Sequence, residues 1–222
     1  MITIDHVCRS LGMLSQIFAG HILTSNYCRN GNMLTWNKYK KGISNNILYT
    51  KEYEDLLNER QYSLLMRDKS FFQFYYDFEN GKLKKMKLCY YPYPIYVQED
   101  SERLEEYFME SGTERFEIYY NSLTKLFDAG IKATNNSHIR IDYDFDVKSH
   151  SQSHVQYSGI NDFRIPFSKV IDPMLFFDFI YSNSNGNQEI KKMILSKSFI
   201  GAGKKHEHVP VPNSCIHLTH IQ

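Results

Sequence analysis

The spacing of apolar residues changes twice along this chain, and each change marks a new kind of element. Near the N-terminus Val7, Leu11, Leu14, Phe18 and Ile22 recur three and four residues apart. That spacing puts them on one stripe of a helix, expected from about Asp5 to Tyr27. Asn30-Gly31-Asn32 interrupts the pattern, Trp36 and the basic cluster Lys38, Lys40 and Lys41 follow, and Asn45-Asn46 makes another break. A second helix is expected over Thr50 to Arg60, with Thr50 as its cap and Tyr53, Leu56 and Leu57 on its buried side.

From Tyr62 the period falls to two. Tyr62 to Met66 reads as a strand and Arg67-Asp68-Lys69-Ser70 as a turn. Phe71 to Phe78, aromatic at nearly every position, reads as a strand covered on both faces. Asn80-Gly81 supplies the two positive-φ positions of a type I′ hairpin turn. Leu83 to Tyr91 is then the partner strand, with Lys82, Lys84 and Lys87 expected near an edge. Pro92 and Pro94 end the pairing, because proline has no donor for the ladder. Asp100 to Gly130 returns to helical spacing. A short piece carries Leu104, Tyr107 and Phe108, and the capping-box pattern Ser111-Gly112-Thr113-Glu114 precedes a face of Phe116, Tyr119, Tyr120, Leu123, Phe127 and Ile131.

Strict alternation reappears between Ser137 and Pro166. His138, Arg140, Asp142 and Asp144 face one way, and Ile139, Ile141, Tyr143 and Phe145 the other. After a polar loop, His154, Gln156 and Ser158 line one face of the next strand, opposite Val155 and Tyr157. Arg164-Ile165-Pro166 closes the unit. Asp172-Pro173 opens a largely apolar helix, with Asp as the cap and Pro at the first helical position. A weaker helix spans Gln188 to Ser196.

These elements predict an α+β fold: a mainly antiparallel sheet with helices at both ends and packed on one face. One domain is expected over residues 1–200, helical over 1–61, sheet-rich over 62–166 and helical again over 172–196, followed by a poorly packed tail over 201–222.

Composition narrows the classes. The 17 Tyr and 15 Phe argue for a packed chain over a disordered one. A net charge of +1 conceals an acidic middle, since residues 101–190 carry 8 Lys/Arg against 14 Asp/Glu, and a basic end, 5 against 1 over 191–222. This is no general basic stripe of the kind that marks nucleic-acid binders. Cys8, Cys28, Cys89 and Cys215 lack CxxC spacing, and the opening Met1-Ile2-Thr3-Ile4-Asp5-His6 lacks the basic and apolar regions of a secretory signal. No apolar run approaches the roughly 18–20 residues that cross a bilayer. A soluble cytoplasmic protein with free thiols and no membrane partner is expected.

The candidate chemistry lies in the alternating segment. His150 and His154, with Asp142 and Asp144 upstream, offer the imidazole and carboxylate ligands that suit a divalent metal, Zn or Mn, which could activate water for hydrolysis. Solvated turn histidines, and Arg140 paired with Asp142 or Asp144, would account for the same residues. Arg140 and Arg164 carry forks that match phosphate. Cys215, His217 and His220, with His206 and His208 upstream, suit zinc by type but fit no standard finger spacing. P-loop, dinucleotide-binding, HExxH and GxSxG motifs are absent.

Three blocks carry a resemblance. They are RQYSLLMRDKSFFQFYYDF followed by LCYYPYP, then RIDYDFDVKSHSQSHVQY, then FRIPFSKVIDPMLFFDFI, within Tyr49 to Tyr181. The chain resembles an uncharacterised bacterial family catalogued as domain of unknown function 2290. The resemblance implies no activity. It does imply a bacterial, cytoplasmic role beside the nucleic-acid-acting partners of mobile-element or antiphage defence systems. The family's loop more commonly reads His-Pro-x-x-His, whereas Ser151 stands in the proline position here, which removes rigidity from a two-histidine site. Two functions follow as expectations. One is an accessory or binding protein working with a partner protein or nucleic acid. The alternative is a metal-dependent hydrolase, with a nuclease as one option, using His150, His154, Asp142 and Asp144 of the His/Asp cluster over residues 138–154.

Overall fold

The computed structural model describes residues 2–41, 48–97, 125, 128, 131–133, 135–149, 151–157, 164–167, 169–184, 187–196 and 209–210. The chain divides into two units, one of Met1–Pro92 with Ser137–Gln222 and one of Tyr93–Asn136.

The larger unit opens with α1 (Ile4–Ile17), whose first turn is capped by Thr3 accepting from the His6 backbone N–H at 3.2 Å. Val7, Leu11, Leu14 and Phe18 are buried as one stripe, as the spacing predicts. The helix stops well short of Tyr27. Ala19-Gly20 turns the chain, and Ile22, the last member of the helical pattern, begins a strand instead. A short apolar pattern cannot separate the two uses of such a residue.

The strands of this unit are β1 (Ile22–Ser25), β2 (Tyr27–Asn30), β3 (Met33–Trp36), β4 (Leu64–Met66), β5 (Phe71–Glu79) and β6 (Lys82–Tyr91). After the smaller unit's β7 (Ile95–Val97) and β8 (Ile131–Ala133) come β9 (Ile139–Asp144), β10 (Ser153–Tyr157) and β11 (Arg164–Pro166). Among the described residues β1–β6 and β9–β11 form one antiparallel sheet, with the main order β1-β4-β5-β6-β9-β10-β11 and the β2–β3 hairpin joined to β5. The fold is therefore α+β, as the sequence predicts. Asn80 and Gly81 take φ of 52° and 75° in the β5–β6 turn.

One expectation about this sheet needs correction. Over Lys85–Tyr90 β6 lies between β5 and β9, so Lys87 is inside the sheet, whereas Lys82 among the described residues is paired with β5 alone. Lys84 pairs with Glu79 at 2.8 Å and Lys85 with Asp144 at 3.0 Å. Arg164-Ile165-Pro166 is itself a strand, paired with β10.

One sheet face is the core. Phe72, Phe74, Tyr76 and Phe78 of β5, Met86 and Leu88 of β6 and Ile141 of β9 meet α1, α3 (Pro173–Asn183) and α4 (Gln188–Ile194) there. Asp172 caps α3 by accepting from the Leu175 N–H at 3.0 Å, and its other oxygen lies 3.1 Å from His6 Nε2 of α1. One buried carboxylate thus ties the two helices together.

Part of the opposite face is covered by α2 (Tyr49–Asn58). Its buried residues are Tyr49, Glu52 and Tyr53, with Leu56 and Leu57 only half-buried. Thr50 lies within the helix, and Leu48 at the N-cap makes no side-chain cap. The floor under α2 is aromatic: Tyr49 stacks on Tyr91, and Tyr53 packs on Phe71. Ring packing therefore selects the tyrosine edge of the helix over its leucines.

In the smaller unit β7 and β8 pair antiparallel, and Asn135 Nδ2 donates to the Tyr93 carbonyl at 2.7 Å. Ile131 opens β8 and does not end a helix. The helices expected over 100–130 fall outside the described residues, apart from Lys125 and Asp128, which are helical. In the larger unit Lys169–Val170 (β12) pairs with Val209–Pro210 (β13), and the other residues of the 201–222 tail lie outside the description. No helix among the described residues is long and apolar enough to cross a membrane.

Candidate functional site

The alternation of β9 places Ile139, Ile141 and Tyr143 toward the core and Arg140, Asp142 and Asp144 on the other face. The ladder then decides their neighbours. Arg140 sits between Cys89 of β6 and Gln156 of β10. Asp142 sits between Lys87 and His154, and Asp144 lies opposite Lys85. Arg164 of β11 continues the Arg140 row beyond Gln156.

Three of the predicted residues meet. Arg140 donates from Nε to Asp142 Oδ2 at 2.8 Å and from its terminal nitrogen to Gln156 Oε1. Burial works against the guanidinium's charge, but Asp142, with Cys89 and Tyr91 adding to it, more than offsets burial and holds the Arg140 pKa above its ordinary value. His154 is buried, with Nε2 3.8 Å from Asp142 Oδ2 and Nδ1 3.3 Å from the Ser151 carbonyl oxygen. A carbonyl can only accept, so that contact places an imidazole proton on Nδ1 and aims Nε2 at the carboxylate. Asp142 Oδ1 is buried without a hydrogen-bond partner among the described residues.

Asp144 and Arg164 do not join them. Asp144 is engaged by Lys85 at 3.0 Å and by the Asp146 backbone N–H at 3.0 Å. Burial raises its pKa, but these two groups outweigh it and leave the carboxyl below its usual value. Arg164 is exposed. His150, like Cys215, His206, His208, His217 and His220, lies outside the described residues. Among the described residues no three His, Cys, Asp or Glu side chains gather as a metal-binding group. Asp142 and His154 supply two ligands, and a dication there would sit beside the Arg140 guanidinium, a repulsive neighbour.

A second buried cluster went unread in the sequence. Glu52 of α2 accepts from Tyr91 Oη at 3.0 Å and lies 3.4 Å from His138 Nδ1, while the His138 ring rests on Tyr91 with centroids 4.6 Å apart. Burial, with Cys89 and Glu52 adding to it, drives the Tyr91 phenol well above its ordinary pKa. The legible signal was a carboxylate at position 52, on the same helical stripe as Tyr49 and Tyr53. A charge on a buried stripe needs a buried partner.

Cys89, beside Arg140, is also buried. Burial pushes its thiol up, and the opposing pull of Arg140 is too weak to restore an ordinary value. The thiol is therefore protonated and a poor nucleophile near neutral pH. Brief iodoacetamide treatment of the native protein at pH about 8, just below the free-thiol value, should leave Cys89 unmodified by peptide mass spectrometry, whereas unfolded protein is alkylated. Rapid native labelling would contradict this burial.

Fold and site together define an α+β protein whose polar sheet face is closed largely by its own ion pairs. Over residues 21–217 the sequence matches the family described as "Uncharacterized conserved protein (DUF2290)", and the chain belongs to that family. No curated protein and no solved structure matches it.

Proposed function

We propose that this chain is an accessory binding protein of a bacterial defence or mobile-element system, one that holds a partner macromolecule and performs no chemistry itself. One observation carries the reading. Among the described residues, two groups that hydrolysis would need are already engaged: Arg140 by Asp142 and Gln156, and Asp144 by Lys85. A phosphate-binding arginine or a metal-binding carboxylate needs its donors or lone pairs for the ligand. The system-level part of the proposal comes from the setting that family membership implies, which is an association and no mechanism.

A metal-dependent hydrolase is the second reading, and it rests on Asp142 Oδ1 and on His154 Nε2 facing the same carboxylate. Elemental analysis of the purified chain separates the two. The accessory reading expects no stoichiometric Zn or Mn, together with a second subunit that co-purifies from the native host. Stoichiometric metal that disappears in His154→Ala would overturn it in favour of the hydrolase.

A further inference from the structure

The basic cluster after β3 takes no part in the site described above. The fold uses it to build a second cluster on the same sheet face, which adjoins that site at Lys87. Tyr39, between Lys38 and Lys40, stacks on Tyr75 of β5 with ring centroids 5.2 Å apart and planes 28° apart, and Trp36 meets it edge-on at 5.1 Å. Tyr75 lies directly opposite Lys87 of β6. Lys38, Lys41 and Lys87 are exposed, and none makes an ion pair among the described residues, while Lys40 is taken by Glu59 at 2.8 Å. The nearest acid on β5, Asp77, lies opposite Lys85; on the β9 side Asp142 lies opposite Lys87 but is held by Arg140, and Lys87 adds to the pull that keeps Asp144 below its usual pKa.

This loop is fixed in place from beneath. Gln61 is buried, and its Oε1 accepts from Trp36 Nε1 at 3.0 Å and from the Lys40 N–H at 2.9 Å. Its Nε2 donates to the Lys38 and Glu59 carbonyls, each at 3.0 Å. Lys38 is held at a φ of 57°, left-handed backbone that a lysine adopts at a cost. One buried amide therefore presents a stacked tyrosine pair between exposed cations, ordered before any partner arrives.

Stacked aromatic rings among cations fit one chemistry well. Every nucleobase has a π-face to stack on tyrosine, and the phosphates between bases match the lysines. A protein partner would gain less from exposed lysines, which are depleted in protein interfaces. We propose that the Tyr39–Tyr75 stack, with Lys38, Lys41 and Lys87, binds single-stranded nucleic acid. The inference rests on the binding-protein reading and names the partner of that protein.

Fluorescence anisotropy with labelled oligothymidylate and oligouridylate of about 16 nucleotides tests it and distinguishes a DNA from an RNA source. Binding should weaken between about 50 and 200 mM salt, with a log–log slope of about 2 for three phosphate contacts on a single strand. Tyr39→Ala should weaken binding about ten-fold, and Tyr39→Phe should preserve it. Lys38→Gln, Lys41→Gln and Lys87→Gln should each lower the slope by about 0.7. The lysines are exposed, so the triple variant reports on binding even if Tyr39→Ala folds poorly. Absence of binding to both oligonucleotides, or binding unchanged in the triple lysine variant, would overturn the proposal. So would capture of a partner protein by a chain that ignores both oligonucleotides. Metal content and His154-dependent cleavage decide the accessory reading separately, so either conclusion can fail alone.

Discussion

Asp142→Ala should lower folding stability by about 3 kcal/mol, and adding Arg140→Met should recover much of that loss. The reason is the position of the guanidinium. Arg140 is only 26% exposed at its side chain and Asp142 13%, and they meet at 2.8 Å. Removing the carboxylate leaves a part-buried charge on the polar face of the sheet, with Gln156 alone among the described residues to hold it. Uncompensated buried charge, more than the loss of one hydrogen bond, sets the size of the effect. Replacing both partners removes the charge problem, so the double-mutant cycle should show strong coupling. Denaturant unfolding with an unchanged m-value measures it. If Asp142→Ala proves as stable as the parent protein, the pair is not a structural clamp. The case that these residues are spent on one another then fails with it.

The sequence made this site partly legible, and the boundary is physical. Period-two alternation placed Arg140, Asp142 and Asp144 on one face of β9 correctly, because side chains in a strand must alternate. Alternation is local and says nothing about which strand lies next door. The ladder alone puts Lys85 against Asp144, so that Asp144 is neutralised away from Asp142, and puts His154 against Asp142. The same limit explains β6. Lys87 reads as an edge residue until the pairing of β9 with Lys85–Tyr90 puts it inside the sheet. The Asp172-Pro173 signal marked the start of α3, whereas Thr50, read as a cap, lies within α2. Helix signals were unreliable at α1, where Ile22 served a helical and a strand pattern equally. Tyr39 was passed over because its stacking partner, Tyr75, is brought to it only by the pairing of β3 with β5 and the hub at Gln61.

Phe72→Ala and Tyr75→Ala, three residues apart on β5, should produce opposite phenotypes. Phe72 is fully buried on the core face and packs against five rings: Tyr90 at 4.8 Å, Phe177 at 5.1 Å, Phe74 at 5.8 Å, Tyr181 at 6.0 Å and Phe176 at 6.1 Å. Truncation opens a cavity at the junction of the sheet and α3, where the surrounding rings are too rigid to collapse into it. The expected loss is about 3–5 kcal/mol, a large part of the roughly 5–15 kcal/mol that holds a domain folded. Oligonucleotide affinity per folded molecule should stay as it was. Tyr75 is half-buried on the other face, and burial with nearby Asp77 pushes its phenol up to about 12, so it is neutral and free to stack at working pH. Its truncation should cost less stability than Phe72→Ala and weaken oligonucleotide binding about ten-fold. Thermal unfolding and anisotropy on the same two variants check both halves. Equal stability losses would mean that β5 is buried alike on its two faces, and the division into a core face and a binding face would be wrong.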